Sequence, residues 1–518
     1  MKRTATRSAA RILAMSAPKR TAMLAAVFAA MLASRCLTSA AAGQAADPTP
    51  PITQVASYPP TVTHHDGTFD GHQLRYTATV EAIDVPGPSG KPAARLVSFA
   101  YTADDASAAT SRPVMFVFNG GPITASLWLH IGVMGPKRVA VPEDLTANPD
   151  TYQLVDNVYS PLDVADLVFI DPASTGYSRV LPGTAPESYF SVVADAQQVT
   201  AFINAWLTQH GRLSSRAYLL GESYGTIRAA EVAAQLAELP HPILLQGVVL
   251  MGQAINIIEY RQRPQNVVSF AVSLPTLAAL AWYHQKIDRK GESLEQFVNE
   301  AWHFAETDYL TALFKGSELD SADRDRIAKR LEEFSGIPAS YYRDHELRIS
   351  KEQYRGELLK DRGLLLGRND GRYVEPIGKK GLADDPSSVI MTPFQRLFSD
   401  YVRNDLKVDR TEPYIQVATS ENLDGWKWGR SGPFADWPYS DCLLKVMRAN
   451  PHFHVLIGNG YHDTQTTVGA AEYAVRQAGW PEGRATLSYY EGGHMAYTVE
   501  RSAKQFTNDI RALVQSTQ

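Results

Sequence analysis

A serine flanked by small residues lies between a predicted buried strand and a predicted helix. The sequence Gly-Glu-Ser-Tyr-Gly occupies residues 221–225, after an apolar run at residues 217–220 and before a helix-forming run at residues 228–238. A sharp strand-to-helix turn lifts a serine hydroxyl clear of a sheet, and the two glycines let both backbones approach closely. The first amides of the helix remain free to stabilise an oxyanion. The pattern predicts that Ser223 is a nucleophile, and its alternative is an ordinary tight turn.

Two later strand ends carry the partners that such a serine needs. Asp463 follows a strand predicted at residues 454–458, and His494 follows one at residues 485–490. A serine hydroxyl is a poor nucleophile until a base takes its proton, which a histidine does near neutral pH. A carboxylate then fixes the tautomer of the ring and stabilises the imidazolium. The chain order Ser223, Asp463, His494 therefore predicts a catalytic triad.

Each partner also has a structural alternative. His462 lies in the same loop as Asp463 and is a rival base, but it adjoins that carboxylate directly. His494 is favoured because two glycines precede it after a strand. Asp463 could instead cap the helix predicted at residues 466–478.

A sheet of buried strands must position these residues. Four continuous apolar runs precede residue 258, at residues 113–118, 166–171, 217–220 and 243–251. Such runs are expected for central strands that are buried on both faces. Because helical patterns alternate with them, they predict a mostly parallel α/β sheet with helices on both faces. Alternation within residues 67–103 adds antiparallel strands, and the predicted core comprises residues 63–257 and 408–518.

Residues 258–407 interrupt the strand-helix rhythm. The segment is rich in charge and is predicted to be mainly helical. A long insertion over the carboxyl edge of a sheet often forms a lid that shapes a pocket. We therefore predict a helical lid, with a separate helical domain that has no role at the site as the alternative.

The first 45 residues are predicted to be a secretory signal peptide. A basic lead is followed by an apolar run at residues 22–33 and then by small residues. Twelve apolar residues are too few to span a bilayer, so no stable membrane insertion of the mature chain is expected. The mature protein would be exported, to the periplasm or the medium. Residues 46–62, rich in Pro, Thr and Ala, are predicted to be a disordered lead-in.

Composition excludes several other classes of function. Loss of the seven basic residues before position 46 would take the formal net charge from −5 to −12, and no basic tract suggests nucleic acid binding. Neither a His/Glu helix pair nor a cysteine cluster appears, so no metal and no cofactor are predicted. Cys442 would be the single cysteine of the mature chain, which excludes an intrachain disulfide. The oligomeric state is left open.

Four motifs, in the right order, resemble those of the serine carboxypeptidase family in its bacterial form. The motifs are Asn-Gly-Gly-Pro at residues 119–122, the stretch at residues 169–178, the Gly-Glu-Ser-Tyr-Gly sequence, and Gly-His-Met at residues 493–495. The resemblance covers residues 113–498. It implies the α/β-hydrolase fold and a serine hydrolase that cleaves the C-terminal bond of peptide substrates through an acyl-enzyme.

The resemblance also implies further site residues. Gly121 and Tyr224 would supply backbone amides to the oxyanion hole, and Asn119, Gly120 and Glu222 would hold the C-terminal carboxylate of the substrate. One carboxylate receives another only if one of them carries a proton. Burial beside the nucleophile would raise the pKa of Glu222 and allow it to donate that hydrogen bond.

One departure from the family pattern concerns this carboxylate site. Family members commonly place a glutamate two residues before the glycine of a Gly-Pro pair, where it shares a proton with the glutamate before the nucleophile. Here that position is Val133, so only desolvation is left to raise the pKa of Glu222. Two other functions stay open: an esterase or acyltransferase that uses the same triad, and a non-catalytic binding protein.

Overall fold

The computed structural model describes residues 58–87, 90–104, 111–289, 291–378, 385–418, 425–429 and 437–517. The predicted signal peptide therefore lies outside the described residues, as does the lead-in up to residue 57. The lead-in prediction is wrong at its end, because a strand already begins at Thr61. The alternating, β-branched start of that strand pairs with the next one, from Thr61 opposite Val80 to Phe69 opposite His72.

The strands are numbered in chain order. They are β1 Thr61–Phe69, β2 His72–Pro86, β3 Pro92–Ala103, β4 Val114–Phe118, β5 Lys137–Ala140, β6 Gln153–Asp156, β7 Asp166–Ile170, β8 Arg179–Val180, β9 Ala217–Glu222, β10 Leu245–Met251, β11 Leu364–Leu366, β12 Val374–Pro376, β13 His454–Gly460 and β14 Ala485–Tyr490.

All but the first of the α-helices in the described residues follow β8 in the chain. The α-helices are Leu127–Leu129, Val192–Gln209, Tyr224–Ala237, Ile257–Tyr260, Val267–Ala271, Leu274–Tyr283, Leu294–Phe304, Leu310–Lys315, Ser321–Ser335, Ala339–Asp344, Lys351–Glu357, Met391–Asn404, Tyr439–Ala449, Val468–Gln477 and Glu500–Ser516. A turn of π-helix, His130–Met134, extends the first of them. No helix of the described residues is long and apolar enough to cross a membrane.

Ten strands form one large sheet in the order β1-β2-β3-β7-β4-β9-β10-β13-β14, with β8 paired to β3. Neighbouring strands along the part of the sheet ordered β7-β4-β9-β10-β13-β14 are parallel. The strands β1, β2 and β3 extend the sheet beyond β7 with antiparallel pairing. The predicted central strands are those buried on both faces. Alternate residues of β4 illustrate this, because Phe116 packs into one hydrophobic cluster while Met115 and Val117 pack into the cluster on the other face.

The inserted segment has a hydrophobic cluster of its own. Leu277, Phe297, Leu331 and Tyr354 belong to it, and they come from four different helices. The helix Met391–Asn404, within the predicted lid, packs instead with the cluster of the large sheet. The segment also contains the short hairpin of β11 and β12. Its role as a lid stays a prediction.

Candidate active site

Ser223 lies at the tight turn between β9 and the helix Tyr224–Ala237. Its backbone adopts φ 58° and ψ −127°, which is unusual for a residue with a side chain. The amide of Ser223 donates to the carbonyl of Met251 at the end of β10, with an N···O distance of 2.9 Å. A Cβ on Gly221 would lie 2.0 Å from the carbonyl oxygen of Gly225, so strand and helix can meet this closely only with glycine there.

The loop that follows β4 lies against this turn. A Cβ on Gly120 would come within 2.5 Å of the carbonyl oxygen of Glu222 and 2.6 Å of the amide nitrogen of Tyr224. The backbone amides of Gly121 and Tyr224 make no hydrogen bond within the described part of the chain. Two unengaged donors beside Ser223 are the arrangement that an oxyanion hole requires.

A buried ion pair fixes the position of that loop. The guanidinium of Arg228 contacts the carboxylate of Asp195 with an Nε···Oδ2 distance of 2.7 Å, and both side chains are fully buried. The same guanidinium donates to the carbonyl of Asn119 at 2.6 Å. Asp195 also accepts from the hydroxyl of Tyr224 at 2.9 Å. The helix that begins at the turn is therefore tied to the loop after β4.

The ends of β13 and β14 bring Asp463 and His494 together. Nδ1 of His494 lies 2.6 Å from Oδ2 of Asp463, and both residues are buried. Oδ1 of Asp463 accepts from the amides of Gln465 at 2.7 Å and Thr466 at 3.1 Å. The hydroxyl of Thr466 donates to Oδ2 of Asp463 and lies 3.2 Å from Nδ1 of His494. The carboxylate is thus held by three donors while it orients the ring.

The electrostatics of His494 follow from this pairing. Burial lowers the pKa of His494, but the charge and the hydrogen bond of Asp463, with smaller contributions from Glu222 and Asp385, together raise it to about 9. The ring also packs against the end of β10, where a Cβ on Gly252 would lie 3.0 Å from Cε1 of His494. Because the amide of Ser223 donates to the carbonyl of Met251, Ser223 and the ring of His494 both lie at the end of β10.

Glu222 is buried next to Ser223. Burial raises the pKa of its carboxyl group to about 7, although the charge of His494 and a hydrogen bond from Tyr497 lower it. The hydroxyl of Tyr497 donates to Oε2 of Glu222. The amide nitrogen Nδ2 of Asn119 is buried and has no partner of good hydrogen-bond geometry among the described residues.

Three contributors to the site were missed by sequence reasoning. Thr466 had a usable signal, because it follows Asp463 by three residues, the spacing of a turn in which a carboxylate accepts backbone amides. Gly252 comes directly after a predicted strand, but nothing in the sequence shows that a ring packs on it. Tyr497 had no signal, since its contact with Glu222 spans 275 residues of sequence.

The structure bears on the two alternatives weighed in the sequence, namely Asp463 as a helix cap and His462 as a rival base. The helix Val468–Gln477 is capped by Thr467, whose side chain accepts from the amide of Ala470, so Asp463 is not its cap. His462 is buried, and its Nε2 has no partner among the described residues. Its ring lies 5.3 Å from that of Tyr283, and burial lowers its pKa to about 3.

A cleft with a volume of about 390 Å³ opens beside Ser223. Its lining residues come from the nucleophile turn, the inserted segment and the loop after β13. They are Gly121, Ser223, Tyr224, Ile227, Ala254, Ile257, Tyr260, Arg261, Gln262, Ser350, Lys351, Glu352, Arg368, Trp428, Thr464, Gln465 and Thr466. Within the described residues, no group of three or more His, Cys, Asp or Glu side chains could hold a metal ion.

Comparisons with known proteins agree with this architecture. A prohormone-processing carboxypeptidase from Saccharomyces cerevisiae has a similar structure, with a TM-score of 0.52 and 14% sequence identity over 85% of this chain and 91% of that one. Serine-type carboxypeptidase F of Aspergillus niger is 27% identical over 173 residues. That match covers 31% of this chain and 31% of the curated relative.

The fold is that of the α/β-hydrolases, as the sequence pattern predicted. The family model described as serine carboxypeptidase matches residues 95–508. The chain therefore belongs to the serine carboxypeptidase family, and the resemblance stated from its four motifs is confirmed.

Proposed function

We propose that this protein is a serine-type carboxypeptidase that releases C-terminal residues from peptides. Ser223 attacks the last peptide carbonyl, and His494 takes its proton and returns it to the leaving amine. Asp463 holds the ring of His494 and stabilises its charged form. Water, activated by His494, then hydrolyses the acyl-enzyme, and the free enzyme is regenerated.

The remaining site residues would stabilise the oxyanion and select the end of the peptide. The amides of Gly121 and Tyr224 face the developing oxyanion. Glu222, with Asn119 and Gly120, binds the C-terminal carboxylate. The observation that carries this proposal is the buried carboxyl group of Glu222 directly before Ser223, because its raised pKa allows it to carry the proton that a carboxylate ligand requires.

The proposal predicts opposing pH dependences. His494 accepts a proton only in its neutral form, so kcat should rise with pH. Glu222 binds the substrate carboxylate only when protonated, so KM should rise as the pH passes about 7. The pH profile of kcat/KM should therefore be bell-shaped. Because His494 and Glu222 influence each other, its two apparent pKa values describe the pair and not either residue alone.

The experiment compares an N-blocked dipeptide that has a free C-terminal carboxylate with the same dipeptide amidated. Both are assayed from pH 4 to pH 8, with Ser223→Ala as the inactive control. Preference for the free acid that fades as the pH rises supports the carboxypeptidase. Equal rates on both forms would favour an esterase or acyltransferase, and failure of Ser223 to react with a fluorophosphonate would favour a binding protein.

We also propose that the chain is exported after removal of residues 1–45. The basic lead and the apolar run at residues 22–33 support this, and the sequence does not distinguish the periplasm from the medium. Mass spectrometry of the N-terminus of protein recovered outside the cytoplasm tests it. An intact Met1 on active protein would contradict it.

A further inference from the structure

The cleft beside Ser223 is cationic in a protein that is negative overall. Arg261, Lys351 and Arg368 line it, and Glu352 is the single carboxylate among the lining residues. The whole chain carries a formal net charge of −5. Such local concentration of positive charge in a concave site attracts anionic groups.

The carboxylate of Glu352 is already engaged by two guanidinium groups. Arg368 contacts it with an Nε···Oε1 distance of 2.8 Å and an Nη2···Oε2 distance of 3.2 Å. Arg355 contacts it from its own helix at 2.5 Å. Its charge is therefore shared with two guanidinium groups, and it offsets the charge of the other cations of the cleft only in part.

Lys351 has no carboxylate within 4 Å in the described part of the protein. Its ammonium group donates to the carbonyl of Gln465 at 2.9 Å and lies 5.4 Å from the centre of the Tyr260 ring. Burial lowers its pKa to about 8, although Asp463 and Glu352 raise it. The Lys351 side chain is half-buried, and a partly desolvated cation with no carboxylate within 4 Å gains more from an incoming anion than a fully solvated one does.

Arg261 supplies a second cation without a carboxylate partner among the described residues. It follows the helix Ile257–Tyr260, is exposed, and forms no ion pair among the described residues. The rest of this wall is partly apolar, with Ile227, Ile257 and Trp428 in the lining. A short aliphatic stem that ends in a carboxylate matches this combination.

We infer that the cleft binds an acidic side chain of the substrate and that Lys351 and Arg261 set this preference. The substrates would be peptides with glutamate or aspartate beside the scissile bond. The inference rests on the proposed carboxypeptidase function, and it goes further by naming the class of substrate. Lys351 and Arg261 act on binding, whereas the triad acts on every substrate alike.

The test uses two pairs of N-blocked dipeptides. One pair has either glutamate or its isostere glutamine at the last position, and the other pair has either residue at the penultimate position. At pH 6 the wild-type enzyme should cleave the glutamate peptide about tenfold better than the glutamine peptide at one position, the gain expected of one charge-assisted contact. Lys351→Met and Arg261→Gln should each reduce this ratio, mainly through KM. Lys504→Met, which removes an exposed lysine from the helix Glu500–Ser516, should leave the ratio unchanged.

Cleavage of the glutamine peptide by each variant shows that it is folded and active. Equal rates on both peptides at both positions would overturn the inference while leaving the carboxypeptidase intact. A preference that survives both substitutions would overturn the roles of Lys351 and Arg261. If no peptide were cleaved, the proposed function would fail, and calorimetric binding of both peptides to Ser223→Ala would still decide whether the cleft prefers the acidic one.

Discussion

The hydroxyl of Tyr497 is the hydrogen-bond partner of Glu222, whereas the family commonly has a second carboxyl group beside this glutamate. Position 133 is valine, and the hydroxyl of Tyr497 donates to Oε2 of Glu222 instead. The ring of Tyr497 has room because a Cβ on Gly132 would lie 2.5 Å from its Cε2. Burial raises the pKa of Tyr497 well above the ordinary value, so the hydroxyl remains a donor. A proton on Glu222 would then occupy Oε1, the oxygen that Tyr497 leaves free.

Tyr497→Phe should therefore extend binding of free-acid peptides to higher pH. The hydrogen bond from Tyr497 favours the charged form of Glu222 and lowers its pKa, so its loss raises that pKa further above about 7. A hydrogen bond to a charged group corresponds to a shift of about one pH unit. We expect the rise of KM with pH to move upward by that amount, as measured with a free-acid dipeptide from pH 5 to pH 9.

Two comparisons separate this effect from general damage. The KM of the amidated dipeptide should not change, because that substrate has no carboxylate to bind. Tyr489→Phe breaks a similar phenol-glutamate contact, 2.9 Å to Glu472, and should leave the profile unaltered. A KM profile in Tyr497→Phe that coincides with that of the wild type would show that Tyr497 does not tune Glu222.

The end of β10 determines where the His494 ring can lie. Gly252 follows that strand with φ +56°, and the space beside its Cα is filled by the ring. The ring is also held by Asp463, which the loop after β13 fixes. The end of β10 thus forms the surface against which the ring of His494, the proposed base, is aligned.

Gly252→Ala should impair activity by more than its effect on stability explains. The new Cβ would lie 3.0 Å from Cε1 of His494, so the ring has to shift by a few tenths of an ångström. A displacement of about 1 Å costs roughly 100-fold in rate, so this smaller shift should cost about fivefold. The positive φ adds about 1–2 kcal/mol of strain. We expect kcat to fall about fivefold, with a modest loss of thermal stability.

Gly479→Ala is the matched control for that substitution. Gly479 has φ +62°, and a Cβ there would meet nothing within 4 Å. It should lose similar stability by thermal denaturation but keep its kcat. Equal activity losses in the two variants would refute the role assigned to Gly252.

The elements with a strong hydrophobic pattern in the sequence were predictable, whereas the elements that depend on tertiary contacts were not. The apolar runs of β4, β7, β9, β10 and β13 were recognised in the sequence, because burial on both faces leaves an unbroken signal. The edge strand β14 was recognised as well, although most of it is only half-buried. The hairpin of β5 and β6 was missed, since its short strands are only half buried and show no clear alternation. At the site, motif residues were predictable, whereas Tyr497 depends on a contact that only the folded chain creates.

Buried histidines and buried carboxyl groups have opposite effects on how the stability of the protein depends on pH. Burial lowers the pKa of His130 and His462 to about 3, and it raises that of Glu222 to about 7 and of Asp171 to about 6. Below pH 6.5 the unfolded chain protonates histidines that stay neutral in the folded protein. The free energy of unfolding therefore decreases as the pH is lowered. The buried carboxyls bind protons in the fold before the unfolded chain does, so they increase stability over the same range.

Two substitutions should expose these opposing contributions. His462→Gln removes one destabilising proton uptake, so its unfolding free energy relative to the wild type should improve on going from pH 7.5 to pH 5.5. Glu222→Gln removes a stabilising uptake, so its relative free energy should worsen over that range. Each difference should be about 1–2 kcal/mol, because one proton changes stability by about 1.4 kcal/mol per pH unit.

Denaturant unfolding at both pH values measures these differences, and His241→Gln is the control. The His241 side chain is exposed and makes no ion pair among the described residues, so its substitution should give the same relative stability at pH 7.5 and pH 5.5. The opposite signs for His462→Gln and Glu222→Gln are what identify burial as the cause, since a general loss of packing would lower stability equally at both pH values. Parallel changes in the two variants would therefore contradict the assignment of a neutral His462 and a protonated Glu222 to the folded protein in mild acid.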